Sequence, residues 1–448
     1  MQGNDLVVDF VTEMSWSQLP PSVQHTARLA LLDTLGATLV GRLTPVSRIT
    51  AEYAETCWPG DEATILLHDR RASAVGAAFA NGYAANGIDI DNCALYTRGH
   101  PAAQIVPTAL ALAEARNLTG AEMLTGIVVG HEVAHRAARI WHATHDVYQA
   151  CGSWGSVACA AVAAHLMGLN KEQTHHALGI ADYHAPNLPM MRDIDDPAMV
   201  KHGIGWGAMN GITSAELAQR GFTGVPSLFG FEAYRDWTAD IGEHYLIVNG
   251  LAWKRYACCA WDHAAIRGAD QLMEAFDFSA EEIERVRVET FHETVRLGTD
   301  LPSTTEEAQF TLAWPLAAYI VDREVGPGQI LEAALGREDI RRLANRIELV
   351  ETEELNQLYR MACEGDPRGK YASKVTIELH DGRVFETGPV EGDINYPQEP
   401  WTEGDLENKF RWLTGHVLGQ KRIDALIDIL RAFEDLSDVR TLTDLMTG

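Results

Sequence analysis

Two textures divide this chain, and the division limits its possible folds more than any other property. From Leu19 to about residue 250 the sequence is a succession of Ala- and Gly-rich segments at helical spacing, such as "LPPSVQHTARLALLDTLGATLVG" and "GSVACAAVAAHLMGL". Small residues at those positions let helix axes approach closely. Asn170, which follows the second segment, has Gln173 three residues on, the pattern of a capping box opening another helix. After about residue 252, "RVRVETFHETV", "NRIELVE" and "KVTIELHDGRVFET" alternate in the manner of half-buried strands, with Asp381-Gly382 as a hairpin turn. Helical patterns in "EAQFTLAWPLAAYIVDREVG" and "GREDIRRLANR" lie among them, which makes this part a small α+β unit. Beyond "NYPQEPWTEGDLENKF" helix returns, and "KRIDALIDILRAFEDL" is strongly amphipathic. The predicted fold is therefore mainly α with an inserted α+β domain. Residues 1–252 form the first part of a helical domain, 253–393 the insertion, and 394–448 the closing helices. At 448 residues with 46% apolar content, the chain is long for a single core, in keeping with roughly two or three domains.

Charge narrows the partners. The 36 basic and 63 acidic residues leave a net charge of −27, which disfavours nucleic acid and anionic membranes. An anionic substrate needs a local cluster of Lys, Arg or His to overcome that field. The N-terminal stretch "MQGNDLVVDFVTEM" has no basic n-region, and no apolar run reaches the roughly 18 residues that span a bilayer, so the expected location is the cytoplasm. Cys57, Cys93, Cys151, Cys159, Cys258, Cys259 and Cys363 form an odd set without a CxxC pair, the pattern of reduced thiols rather than a disulfide framework or a structural zinc site. Neither a GxGxxG nucleotide loop nor a P-loop is present.

One motif points toward a metal. His131-Glu132-Val133-Ala134-His135 has the spacing by which one helical turn offers two imidazoles to zinc, with the Glu as general base. A metzincin-type third ligand would fall at Trp141, and His142 comes one place late. Thr119-Gly120-Ala121-Glu122 is a capping box that starts a helix, on which Leu124, Val128, His131, His135 and Ala138 share one stripe. Both histidines are accordingly expected to be buried structural residues, and no metal is expected.

Polar chemistry concentrates in three other stretches. "NGYAANGIDIDNCALYTRGHP" holds Asp89, Asp91, Cys93, Arg98 and His100; "YHAPNLPMMRDIDDPAMVKHGIGWGAMNG" holds His184, Arg192, Lys201 and His202; "WKRYACCAWDHAAIRGAD" holds Lys254, Arg255, Cys258, Cys259 and His263 at the change of texture. Loops at a domain junction are where sites tend to lie. With "GSWGS", "RGFTGVPSLFG" and "QFTLAWPLA", these stretches resemble the MmgE/PrpD family over essentially the whole chain. The resemblance implies a helical domain with a smaller lid-like α+β domain, a homodimer, and no metal or organic cofactor. Its members include 2-methylcitrate dehydratase, cis-aconitate decarboxylase and iminodisuccinate epimerase, so it also implies a small di- or tricarboxylate substrate. At Gly130 to Val133 the family usually reads Gly-Tyr-Glu-Val, with His131 standing in the place of the aromatic residue.

Within the resemblance, Asp89 matches the first Asp of the family's Asp-x-Asp segment and His100 the His of its His-Pro pair. Lys201 and Lys254 match lysines of the decarboxylase site, although "KHGIG" is one residue shorter before its glycine than the decarboxylase pattern. The common chemistry moves a proton at a carbon beside a carboxylate, which needs a base and cations to hold the spreading charge. Cys93 replaces a threonine of the decarboxylase pattern, Gln149 a histidine and Cys259 another histidine. Two imidazoles are thus missing and thiols occupy two site positions. The expected catalytic set is Cys93, Cys259, Lys201, Lys254, Asp89 and His100, with Gln149, Arg192, Arg255 and His263 binding substrate. The preferred activity is a cofactor-independent isomerase, an epimerase of the iminodisuccinate type, with Cys93 and Cys259 facing each other across the substrate. A lyase of the 2-methylcitrate dehydratase or cis-aconitate decarboxylase type is the alternative, and an inactive family member acting as a scaffold is a third.

Overall fold

The computed structural model describes residues 3–392 and 401–448. The predicted boundary at 393/394 and the 395–400 part of "NYPQEPWTEGDLENKF" lie outside the described residues. Helices dominate the first part: Pro21–Gly41, Ala74–Ala85, Ala102–Arg116, Gly120–Thr144, Cys151–Leu166, Lys171–Tyr183 and Ile204–Gln219 surround one continuous apolar core. Their small residues work as the sequence implies. A methyl group on Gly211 of Ile204–Gln219 would lie 2.4 Å from Cys159 Cβ and 2.6 Å from the Ala160 amide nitrogen, so these two helices touch almost backbone to backbone. Both capping boxes form, Thr119 with Glu122 and Asn170 with Gln173.

Leu251 and Trp253 still pack against this first core, whereas Tyr256 belongs to a second one. That core lies under a mixed sheet in the order Ile347–Glu351, Ile283–Thr290, Ala372–Leu379, Val384–Glu386. Ile283–Thr290 runs parallel to Ile347–Glu351 and antiparallel to Ala372–Leu379, with Val286 opposite Ile377 and Val288 opposite Val375. Burial alternates along Ala372–Leu379, as expected for a strand with one face on a core. Asp381-Gly382 makes the predicted turn, Gly382 taking a φ of 86°. Helices His263–Ala275 and Ala313–Asp322 complete this α+β unit. Glu403–Thr414 then returns to the helical part and lies on Pro21–Gly41, where Gly36 leaves room for Phe410. The architecture is mainly α with an inserted α+β unit, as the two textures imply. Among the described residues no single helix is long and apolar enough to cross a membrane.

Candidate active site

Between the two cores lies a cleft whose walls come from both. The helical part contributes the loop after Ala74–Ala85, which is clamped from below. Asp33 accepts hydrogen bonds from the Asn92 backbone (2.8 Å) and side chain (2.9 Å), and its other oxygen pairs with Lys409 Nζ at 2.6 Å. Lys409, on the returning Glu403–Thr414 helix, also donates to the Ile90 carbonyl at 2.7 Å. The C-terminal helices thereby hold the Asp-Ile-Asp segment in place. After Asn92, Cys93–Ala94 pair antiparallel with Leu251–Ala252, the strand that leads to Lys254.

Asp89 is the hub. Its carboxylate pairs with Lys254 Nζ at 3.0 Å and with His100 Nε2 at 3.2 Å, and accepts from Asn86 Nδ2 at 3.1 Å; its carbonyl accepts a further short bond from Lys254. Burial pushes the Asp89 carboxyl up, but Lys254, His100, Lys201 and His202 together hold it well below the usual carboxylate range. Lys254 responds in the opposite sense: burial pulls the ammonium down and Asp89 more than restores it. The two form a settled buried ion pair.

Two imidazoles border the cleft side by side, with ring centroids 5.8 Å apart and planes 17° from parallel. Each has its own carboxylate: His100 Nδ1 lies 2.8 Å from Asp91 Oδ2, and His202 Nδ1 lies 2.7 Å from Asp193 Oδ2. The same Asp193 oxygen accepts the His202 amide at 2.9 Å, and Asn86 steadies Asp91 at 2.8 Å. A carboxylate on one ring nitrogen fixes ring orientation; at His202 this leaves Nε2 for chemistry, whereas His100 Nε2 meets Asp89. The backbone is bent to achieve this. Lys201, His202 and Gly203 are left-handed in succession (φ 42°, 56° and 69°), and Asp89 (51°) and Arg98 (50°) share that conformation. Four of the eight non-glycine residues with positive φ among the described residues therefore cluster here, the pattern of strain held at a functional site.

The opposite wall is aromatic. Trp261, Phe310, Tyr359 and Tyr371 come from the insertion, and the whole cleft encloses about 600 Å³ with its mouth included. Arg98 lies across this wall, its guanidinium 4.2 Å from the Tyr148 ring centre and its Nη2 3.5 Å from the Tyr359 hydroxyl. Tyr148 in turn donates to the Arg98 carbonyl.

The expected site residues divide into three groups. Asp89, His100, Cys93 and Cys259 border the cleft. Lys201 and Lys254 lie behind it, almost fully buried: Lys201 donates to Gln309 Oε1 at 2.8 Å, and burial pulls its ammonium below the ordinary lysine range despite Asp89 and Glu306. Gln149 is also behind, its carbonyl oxygen taken by the Leu188 amide at 2.8 Å. Arg192 and Arg255 are exposed, the latter stacked 4.6 Å over Trp401, and His263 is buried against Tyr256; none of the three borders the cleft. Cys93 Sγ points to the Ala252 carbonyl at 3.9 Å, and burial followed by Asp262 pushes the Cys259 thiol well up. His202, Asp91 and Asp193 complete the imidazole pair without being expected as site residues. His202 and Asp91 lay in the polar stretches as a signal; Asp193 meets His202 only because of the left-handed turn.

Asp89, His100 and His202 also present ligand atoms within 4.8 Å of one another, close enough to hold a cation. Lys254 already neutralises that carboxylate, so an ion would have to compete with a buried ammonium. The His131/His135 pair is different: among the described residues neither ring has a hydrogen-bond partner, and the intervening Glu132 is taken by Arg136 (2.7 Å) and by the Leu246 and Ile247 amides (3.0 and 2.9 Å).

Comparison with known proteins identifies the family to which these two parts belong. Residues 6–233 match the MmgE/PrpD N-terminal domain and residues 256–435 the MmgE/PrpD C-terminal domain. The human cis-aconitate decarboxylase is 26% identical, with 95% of this chain and 90% of the relative aligned. The Aspergillus terreus cis-aconitate decarboxylase is 23% identical (98% and 95%), and the cis-aconitate decarboxylase-like protein oryM of Aspergillus oryzae 24% identical (98% and 96%).

Proposed function

This chain belongs to the MmgE/PrpD family, and from that premise we propose that it is a lyase that eliminates water from a hydroxy acid beside its carboxylate. The observation that carries the reading is the pair of side-by-side imidazoles, each braced by its own carboxylate. One imidazole removes the proton from the carbon next to the substrate carboxylate. The other protonates the hydroxyl on the neighbouring carbon, which leaves as water while the C–H electron pair becomes the new double bond. Asp91 and Asp193 hold the rings and stabilise whichever imidazolium forms. The decarboxylation named for the relatives needs a proton delivered but none removed from carbon; a base standing beside an acid favours elimination.

An isomerase is the second reading, supported by the two thiols. Cys93 comes from the helical wall and Cys259 from the insertion, as inversion at carbon requires groups from two sides. Burial keeps Cys259 protonated, which suits a donor and not a base.

Incubation with hydroxy acids in heavy water, followed by NMR, separates these outcomes. The elimination reading expects an unsaturated acid, and in reverse a hydrated product with one solvent deuterium beside the carboxylate. Exchange without unsaturation would establish the isomerase, carbon dioxide release the decarboxylase, and no reaction with any acid would overturn an enzymatic role at this cleft.

A further inference from the structure

The lysines of this region already have partners. Lys254 is paired with Asp89, Lys409 with Asp33, and Lys201 points its ammonium at Gln309; none of the three borders the cleft. Arg98 does border it, the one lysine or arginine among the described residues that does. Among those residues it pairs with no carboxylate, and the groups acting on its guanidinium are the Tyr148, Tyr359 and Tyr371 phenols and the Cys363 thiol. A guanidinium presents five N–H donors in a planar fork that matches a carboxylate. Stacking on the Tyr148 ring at 4.2 Å uses none of them, and the 3.5 Å contact to the Tyr359 hydroxyl uses one. Tyr359 accepts in that contact and donates its own hydrogen to no described residue. An arginine serving only to join the two parts would meet a carboxylate, as Arg296 of the insertion meets Asp195 of the helical part at 2.9 Å. Arg98 instead faces a cleft, held in place by the Tyr148 ring and by the Tyr148 hydroxyl on its carbonyl. Fixing a long side chain before its partner arrives is the preorganisation expected of a binding residue.

We propose that Arg98 is the carboxylate anchor of the substrate: its open fork takes both oxygens of one substrate carboxylate from the helical side, and the Tyr359 hydroxyl donates to the same group from the insertion. The inference rests on the reading that this cleft takes a hydroxy acid, and not on which bond then breaks. It requires no particular charge on either imidazole, because a guanidinium stays protonated. A substrate with further carboxylates keeps them for the rest of the site, so Arg98 sets where the anion is held and not how many charges it carries. The anchor lies two residues before His100 in the chain, which places the acid at a set position relative to that imidazole. In a chain of net charge −27, a fixed cation facing the cleft also supplies the local attraction that an anion needs.

Calorimetric titration of the full chain with propane-1,2,3-tricarboxylate and with its trimethyl ester tests this without turnover, since neither probe has a hydroxyl to lose. The unmodified protein should bind the acid at least about a hundredfold more tightly than the ester. Arg98→Met should weaken the acid about thirtyfold and the ester less than about threefold; Arg98→Lys, which keeps the charge but not the fork, should fall between. Acid and ester weakened alike in Arg98→Met would assign Arg98 to packing and overturn the proposal. So would an acid Kd that Arg98→Met leaves within about threefold, or, should that variant fail to fold, an unmodified protein that binds acid and ester equally. Binding that depends on Arg98, alongside hydroxy acids that fail to lose water, would uphold the anchor and defeat the elimination reading alone.

Discussion

Two histidine pairs sit in this molecule at nearly the same spacing, His131/His135 with ring centroids 5.9 Å apart and His100/His202 with 5.8 Å. Their surroundings are opposite. The first pair lies in the interior of the Gly120–Thr144 helix, fully buried, and among the described residues all four ring nitrogens lack hydrogen-bond partners. The second is held by Asp91 and Asp193 on strained loops bordering a cleft. An imidazole becomes a proton carrier when a partner stabilises its charged form and a path leads to substrate. The helix pair has neither, although it alone carries a recognisable motif. Spacing along a helix locates side chains, whereas function here depends on the carboxylates standing behind them.

The largest effect should follow from removing a braced imidazole. His100→Gln is expected to lower kcat about a thousandfold, within the usual range for a general acid–base group, with thermal melting close to that of the unmodified protein. His202→Gln should behave similarly. Loss of less than tenfold in both variants would erase the functional contrast between the two pairs.

Next in size is the clamp beneath the cleft. Lys409→Met leaves Asp33 buried without its ammonium, and removing one member of a buried pair costs roughly 3 kcal/mol. Because Asp33 also holds Asn92, the loop carrying Asp89 and Asp91 should loosen, and activity should fall with stability. Chemical unfolding and kcat measured on the same preparation check both. A stable variant with unchanged kcat would mean that the loop holds its shape without the C-terminal helix.

These effects lie at different depths in the sequence. Helices, strands and caps follow from local pattern, so the two textures, both capping boxes and the Asp381-Gly382 turn could be read directly. The Glu353–Cys363 helix has no place in that reading; Leu355, Leu358, Tyr359 and Ala362 repeat at helical spacing, but that Tyr359 borders a cleft depends on how the insertion docks. Asp89 and His100 were legible through the segments that resemble a family. Lys201 and Lys254 were legible as cations, yet spacing could not show that burial would turn both away from the cleft. The Asp193–His202 pair depends on three successive left-handed residues, of which only Gly203 advertises that conformation.

Acid should separate the two histidine pairs through stability. Burial pulls His131 down to about 3, and burial with the nearby His131 pulls His135 well below the ordinary value. The unfolded chain takes up protons near pH 6.5 that the folded chain refuses, so stability is complete above that pH and falls as pH drops toward the folded values. Each such group contributes a slope of about 1.4 kcal/mol per pH unit. His131→Phe removes one of them and should flatten the dependence by that amount between about pH 6 and pH 4. Urea unfolding across this range measures it, with kcat at neutral pH expected to stay within about twofold. Equal slopes in the two proteins would show that His131 takes up its proton without unfolding.

The smallest effects should come from the thiols, and they decide how far the contrast between braced and unbraced groups extends. Cys93 and Cys259 both border the cleft, as an epimerase with thiols on opposite faces requires. A thiol acting as base must ionise, and its surroundings must favour the thiolate. At Cys259 burial, Asp262 and Asp89 all oppose that form, and only Lys254, already paired to Asp89, and the Trp261 amide favour it. The Cys93 sulfur faces the Ala252 carbonyl, an acceptor that holds the thiol hydrogen in place. The cation that acts on both thiols is Lys254, already committed to Asp89. Cys93→Ser and Cys259→Ser should therefore each change the rate of solvent proton exchange by less than about tenfold, or ~1.4 kcal/mol in barrier. A loss of a hundredfold or more in both, with the fold retained, would transfer the acid–base role from the imidazoles to the thiols and restore the epimerase.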